Sequence, residues 1–176
     1  MNLRLGSLRP HDRSRVAELL MSTAVFSSEE IAVALQLFDD SVVGEGAAGA
    51  DDAHVPDYEF TGAFDGERLI GYACAGPTPA TEGTFDVYWL AVDPAVQGQG
   101  IGKTLVHEVE RGLRDRGARM LLVETSSRPD YSNTRAFYAR CGYTEAARIK
   151  DFYAPADDRI MLTTRLTTRE RGAATR

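Results

Sequence analysis

Two hydrophobic periods alternate along the chain, and the sharpest change between them falls within Val87 to Arg116. Tyr88, Trp89, Leu90, Ala91 and Val92 form an apolar run suited to a strand. Asp93-Pro94 closes it, because proline cannot donate to a ladder and restricts the residue before it. Beyond a short glycine loop, Ile101, Leu105, Val109 and Leu113 recur at four-residue steps. They predict an amphipathic helix, with His107, Glu108, Arg111 and Arg114 on its other sides and Gly117 as its stop.

The same reading orders the rest of the chain. Asn2 to Ser7, with Leu3 and Leu5 alternating, predicts a first strand, and Pro10 to Ser22 a helix with Val16, Leu19 and Leu20 inward. Ser27 or Ser28 begins a second helix, with Ile31, Leu35 and Leu37 or Phe38 on its apolar face. Its Glu29 and Glu30 suit the positive end of the helix dipole. Gly44 to Pro56 is small, acidic and aperiodic, as expected of an exposed, mobile loop. Tyr58 to Phe64 and Arg68 to Gly76 read as antiparallel strands joined through Asp65-Gly66 in a type I′ hairpin. Phe85 to Val92 is the central strand. Arg119 to Thr125 is another, its Met120 to Val123 run expected to be buried on both faces. Ser132 or Asn133 should cap a short helix to Cys141, ended by Gly142. Tyr143 to Lys150 and Arg159 to Leu166 read as a last hairpin, with 151–158 as its loop. Residues 1–166 thus form one domain of mixed α/β order, and 167–176 read as a frayed tail.

Composition narrows the function. At 176 residues, 43% hydrophobic and 26% charged, the chain can build a core. A net charge of -6 and a pI near 5.1 disfavour a nucleic-acid partner and favour a cationic one. Cys74 and Cys141 give neither a disulfide framework nor metal spacing, and His11, His54 and His107 share no metal-binding spacing either. The expectation is a cytoplasmic protein with no metal. No signal-peptide pattern and no run of about 20 apolar residues points to a membrane.

The candidate chemistry lies in the glycine loop, Gln97-Gly98-Gln99-Gly100-Ile101-Gly102. Alternate glycines before a helix let backbone approach a ligand, and the free N–H groups of the first turn favour phosphate. The dinucleotide fingerprint fails because Lys103 stands where it needs glycine. A Walker A loop fits Gly102-Lys103-Thr104 but needs glycine at Gln97, and a plain glycine turn without ligand is the bland alternative.

Gln97, Gly100 and Gly102 after this strand resemble the acetyl-CoA signature Q/R-x-x-G-x-G/A of the GNAT superfamily of N-acetyltransferases. Asn133 to Tyr138 followed by Cys141-Gly142-Tyr143 resembles the last helix of that family. The resemblance implies a twisted, mostly antiparallel sheet of about seven strands, flanked by about four helices and splayed between strands 4 and 5. It also implies acetyl transfer to an amine, with acetyl-CoA as cosubstrate. Leu90, Ala91 and Val92 would contact the cofactor through their backbone at the splay, and Gln97, Gly98, Gln99, Gly100, Ile101 and Gly102 would surround its pyrophosphate, with Lys103, Asn133 and Arg135 adding to them. Tyr138 would be the acid, against ordinary core packing of the Phe137-Tyr138 pair. Asp86 is the candidate base, sharing a face with Tyr88, Leu90 and Val92 by alternation; Glu82, Glu124 or a water chain are alternatives.

The acceptor walls would come from the second helix, the 44–56 and 77–83 loops and the last hairpin. These hold Glu29, Glu30, Glu45, Asp51, Asp52, Glu82, Asp151, Asp157 and Asp158, which favour a small amine over a protein N-terminus. A homodimer is compatible with this reading. A binder of acyl-CoA without turnover is the alternative from another class, and a P-loop nucleotide enzyme a third.

Overall fold

The computed structural model describes residues 1–43 and 58–166. The expected loop at 44–56, with Glu45, Asp51, Asp52 and His54, and the expected tail at 167–176 lie outside those residues. Strands β1 (Leu3–Ser7), β2 (Glu59–Asp65), β3 (Arg68–Pro77), β4 (Thr84–Val92), β5 (Met120–Ser126), β6 (Thr144–Ala154) and β7 (Asp157–Arg165) form one sheet in the order β1-β2-β3-β4-β5-β7-β6. Among the described residues only β4 and β5 pair in parallel. Helices α1 (Arg13–Thr23), α2 (Ser28–Phe38), α3 (Ile101–Asp115) and α4 (Ser132–Arg140) complete the expected element order.

The sheet lies between two apolar layers. Ile101, Leu105, Val106, Val109 and Leu113 of α3 pack on Ile70, Ala73, Val87, Leu121 and Val123, so the four-residue stripe faces inward as its spacing requires. On the opposite face Val16, Leu19 and Leu20 of α1 and Phe38 of α2 close over Phe60, Tyr72, Cys74 and Ala91. In α2 the fully buried residues are Ala34 and Phe38, while Ile31, Leu35 and Leu37 are partly buried. Ser27 caps that helix: its hydroxyl accepts the Glu30 N–H at 3.2 Å, and the Glu30 carboxylate accepts the Ser27 N–H at 2.7 Å.

Several local expectations need correction. The β2–β3 turn centres on Gly66 and Glu67, since Asp65 pairs with Arg68, and only Gly66 has positive φ. That is the φ pattern of a type II′ turn, not I′. Strand β5 is not buried on both faces. Leu121 and Val123 are buried but Met120 and Leu122 only partly, because α1 packs over β3 and β4. Asp151 to Ala154 belong to β6 and not to a loop; a register break follows Ile149, with Asp151 at φ 51. Helix α4 has no side-chain cap from Ser132 or Asn133. It is entered through the 3-10 turn Pro129–Tyr131, whose backbone already leads into the helix.

The irregularity with most consequence lies in β4. Cys74 pairs with Trp89 and Ala75 with Val87, so Tyr88 is an extra residue in the ladder. Tyr88 and Trp89 therefore both join the α1–α2 side, while Val87, Leu90 and Val92 join the α3 side. Alternation fails at this point, and Asp86 and Tyr88 do not share a face with Leu90 and Val92. Parallel pairing with β5 also ends at Val87 and Val123. The strands part immediately after the bulge.

The far end of β4 is held by charge. The Asp93 carboxylate accepts from Arg15 at 2.5 Å, Arg68 at 3.1 Å and the Ala95 N–H at 3.0 Å, while Arg15 also donates to the Leu69 carbonyl. The Ala95 N–H first, then Arg15 and Arg68, hold this carboxyl below the usual carboxylate range. Because the folded pKa is depressed, the stabilisation is present above the unfolded value of about 4 and is lost as pH falls through the folded one. Asp93→Asn should cost about 1–2 kcal/mol at neutral pH, as expected for charged hydrogen bonds. In chemical denaturation that cost should shrink towards pH 3; a cost independent of pH would show that the ion pairs contribute nothing.

Candidate active site

Where β4 and β5 part, the structure opens a cleft of about 680 Å³. Leu90, Val92, the start of α3 and Phe137, Tyr138 and Cys141 of α4 line one side of it. Tyr88, Glu124 and the α1–α2 connection at Val25 and Phe26 line the other. The opening passes through the sheet: Val123 and Thr125 face the α3 layer, and Glu124 between them faces away.

The glycine loop is built as an anion cradle. Gln97 donates from Nε2 to the Val92 carbonyl at 3.2 Å, fastening the loop to the end of β4. Gly98 and Gly100 have φ of 78° and 84°, which L side chains rarely adopt, and a Cβ at either would meet nothing within 4 Å. Gly100 is the N-cap of α3 and supplies no side-chain cap. Among the described residues the backbone N–H groups from Gly98 to Lys103 find no acceptor. They are left at the positive end of a 15-residue helix, beside open space. Gly102 answers to a different constraint, because a Cβ there would lie 3.3 Å from the Phe137 ring. The Walker A reading finds no support, since the Thr104 hydroxyl is turned back onto the Gly100 carbonyl at 3.2 Å.

The proposed contacts divide. Leu90, Val92, Gln97, Gly98, Gly100, Ile101, Gly102, Lys103 and Asn133 all line the cleft. The Ala91 side chain does not: it alternates with Leu90 and Val92 into the α1 layer, where it is 1% exposed, so a contact at Ala91 would be through its backbone. Gln99 is exposed outside the cleft. Arg135 is occupied structurally, donating to the carbonyls of Ser126 at 2.6 Å and Arg128 at 3.0 Å, and so ties α4 to the end of β5.

Tyr138 lines the cleft and is also part of the core, 4% exposed, with edge-on contacts to Phe137 at 5.0 Å and Tyr143 at 5.2 Å. Core packing and a place in the cleft wall therefore coexist. Burial, and secondarily Cys141, raise its pKa well above that of a free phenol, so the hydroxyl stays protonated through the neutral range. Asp86 is half-buried beside the cleft and not in its wall. Burial raises its pKa, against the Thr78 hydroxyl that donates to it, and the nearby Glu124 raises it further. Glu82 lies before the paired start of β4, where its carbonyl accepts from Arg119, at the opposite end of the sheet from the splay.

Among the described residues the carboxylates in the cleft wall are Glu124 and Asp130. Of the expected acceptor-wall acids, Glu30 is spent on capping α2, Asp157 accepts from Ser126, and Asp158 accepts from Arg148 and the Asp151 N–H. Glu29 and Asp151 are exposed outside the cleft. The cleft also brings in residues that the sequence pattern does not single out. Tyr88 enters through the bulge, Thr125 presents a buried hydroxyl without a partner among the described residues, and Tyr131 donates across the cleft to the Val25 carbonyl at 3.1 Å. Among the described residues no cluster of three or more His, Cys, Asp or Glu could hold a metal, and no helix is long and apolar enough to cross a membrane.

A family model described as acetyltransferase (GNAT) family matches residues 15–143. N-alpha-acetyltransferase RimI of Mycobacterium tuberculosis is 35% identical over 101 residues, 56% of this chain and 60% of that protein. Mycothiol acetyltransferase of a Nocardioides species is 36% identical over 92 residues, 46% of this chain and 30% of that one. The matches thus span less than two thirds of these relatives. A crystal structure from Desulfovibrio desulfuricans, described as of the GNAT family, is 40% identical with a TM-score of 0.83, covering 94% of this chain and 98% of its own. The ribosomal-protein-S18-alanine N-acetyltransferase of Escherichia coli shares the fold at a TM-score of 0.66 and 18% identity, over 98% and 99% of the two chains.

The contact at Gly102 makes a prediction independent of any ligand. Gly102→Ala requires the Phe137 ring to give by a few tenths of an ångström, and Gly102→Val adds branches where it has less room. Overpacking of about 1–3 kcal/mol is expected for the valine and well under that for the alanine. Equal chemical-denaturation midpoints for wild type and Gly102→Val would show that Phe137 moves freely.

Proposed function

The chain belongs to the acetyltransferase (GNAT) family, and on that premise we propose that it transfers an acetyl group from acetyl-CoA to an amine by direct attack in a ternary complex. The observation that carries this reading is the cleft itself, which joins the free N–H groups of the α3 start, Tyr138 and Glu124 through a gap in the sheet. The open glycine loop fits the cofactor's pyrophosphate, with Gly98, Gly100, Ile101, Gly102 and Lys103 around it. Leu90, Val92 and Asn133 would line the path of the pantetheine arm. Acetyl-CoA would supply the activated acyl group as a thioester.

The chemistry needs a proton taken from the amine and negative charge met on the departing sulfur. A lysine-like ammonium with pKa about 10.4 is almost fully protonated at neutral pH and attacks only after losing a proton. We assign that proton to the carboxylate side of the cleft, where Glu124 is in the wall and Asp86 stands one strand away. As the N–C bond forms and the C–S bond breaks, Tyr138 donates to the sulfur. Its raised pKa keeps it protonated but makes it a reluctant acid, so hydrogen bonding to the developing thiolate counts as much as complete transfer.

We take the acceptor to be a small cationic amine ahead of a protein N-terminus. The Tyr131–Val25 bond joins two lining residues across the cleft and narrows it, and the acidic wall suits an ammonium. The relatives' names differ, N-alpha-acetyltransferase in one and mycothiol acetyltransferase in others, so family membership does not choose between these classes.

Acetyl-CoA at a hundred times its dissociation constant should stabilise the fold by about 2.7 kcal/mol in thermal denaturation, and ATP-Mg should not. Thiol release with an amine panel then separates an enzyme from a protein that only binds acyl-CoA. A shift with ATP-Mg alone would remove the reading. Tyr138→Phe should retain acetyl-CoA affinity and lose about a hundredfold in turnover. If Asp86 accepts the proton, wild-type kcat/KM falls as pH drops through its raised pKa, and Asp86→Asn flattens that acidic limb. A limb that survives there and disappears in Glu124→Gln would move the role to Glu124.

A further inference from the structure

The proposed mechanism uses two carboxylates but gives no account of the cation beside them. Sheet register places all three on one face. Asp86 is opposite Leu122, Glu124 is two residues further along β5, and Arg159 is opposite Ser126 on β7. Arg159 Nη2 pairs with Glu124 Oε2, and the Tyr153 hydroxyl of β6 donates to Glu124 Oε1 at 2.7 Å. The guanidinium is itself fixed over the Phe152 ring, 4.9 Å from its centroid, with Nε buried and, among the described residues, without a partner. Both Glu124 oxygens are thus held by the β6–β7 hairpin, whereas Asp86 has one oxygen engaged, by Thr78.

We infer that Asp86, Glu124 and Arg159 form a charge-compensated acceptor subsite, in which Arg159 positions Glu124 and cancels one of the two negative charges, so that the subsite selects amines bearing a single positive charge. The inference rests on the acetyl-transfer reading and deepens it. Two carboxylates alone would attract a dication at least as well as a monocation; a fixed guanidinium beside them repels the second positive charge. Tyr88, which lines the cleft, gives the subsite an aromatic wall suited to an alkylammonium. The titratable and charged groups around Asp86 are Glu124 on β5, Arg159 on β7 and Tyr88 on its own strand. Tyr153 donates to Glu124 and is itself near Arg159 and Asp157. Arg159 is a positioning residue here: it acts through Glu124 and through the field at Asp86.

The test has one arm that needs no turnover. In carbon-13-labelled protein the Asp86 carboxyl signal, assigned by its loss in Asp86→Asn, is titrated in wild type, Arg159→Met and Glu124→Gln. Methionine keeps an unbranched stem over Phe152 and removes the charge. The Asp86 midpoint should rise by about one pH unit in Arg159→Met and fall in Glu124→Gln, the signs expected for losing a neighbouring cation and a neighbouring anion. The second arm compares kcat/KM for butylamine and 1,4-diaminobutane, where Arg159→Met should shift the ratio about tenfold towards the diamine. Calorimetry with acetyl-CoA should give the same affinity for both proteins. An Asp86 midpoint unmoved in both variants, or an unchanged amine ratio, overturns the subsite. Failure of wild type to bind acetyl-CoA overturns the acetyl-transfer reading instead, and the titration still decides whether the three charges are coupled. If Arg159→Met does not fold, Glu124→Gln carries the titration alone, with the opposite sign.

Discussion

The parting of β4 from β5 is the constraint on which the rest of the structure depends. Two parallel strands that stay paired would seal the sheet, leaving α3 and α4 on one face with no communication to α1 and α2 on the other. Instead the ladder ends at Val87 and Val123, and the extra residue at Tyr88 swings the strand so that Tyr88 and Trp89 face one way and Leu90 and Val92 the other. A bulge bends a strand and increases its twist. Here it opens a passage without breaking either core, because β4 remains paired to β3 throughout and β5 to β7.

Each wall of the passage is stabilised from outside it. Asp93, held by Arg15 and Arg68, fixes the end of β4 and so the direction of the glycine loop; Gln97 repeats the connection at the Val92 carbonyl. On the other wall Arg135 binds α4 to the last carbonyl of β5, and the β6–β7 hairpin holds Glu124 through Tyr153 and Arg159. Apart from Gln97, which itself lines the passage, these positioning groups lie outside it. This division lets the site keep unpaired N–H groups and an unpartnered Thr125 hydroxyl without destabilising the fold.

Much of this architecture is legible in the sequence, for a physical reason. The order of elements, the inward stripe of α3 and the glycine loop are local patterns, set by residues three or four apart or by conformations that glycine alone adopts readily. What could not be read depends on pairing between distant segments. The bulge at Tyr88 exists only relative to Cys74 and Ala75 on β3, so strict alternation grouped Asp86 and Tyr88 with Leu90 and Val92, from which the bulge separates them. Arg159 and Glu124 are 35 positions apart and meet only through the register of β5 with β7. Acidic residues in the loops suggested an acceptor wall by composition, yet capping and hairpin hydrogen bonds consume several of them, and a strand residue, Glu124, takes that place. Gly102 suited a phosphate reading from sequence, while its immediate neighbour is the Phe137 ring.

The central claim is that one passage through the sheet receives the cofactor from the α3–α4 side and the amine from the α1–α2 side. A crystal structure of the protein with coenzyme A tests it most directly. The account predicts the pyrophosphate against the backbone of Gly98 to Lys103 and the sulfur between the parted strands, with Tyr138 on one side and Glu124 on the other. Coenzyme A bound outside the gap between β4 and β5, or with its sulfur remote from Tyr138, would contradict it.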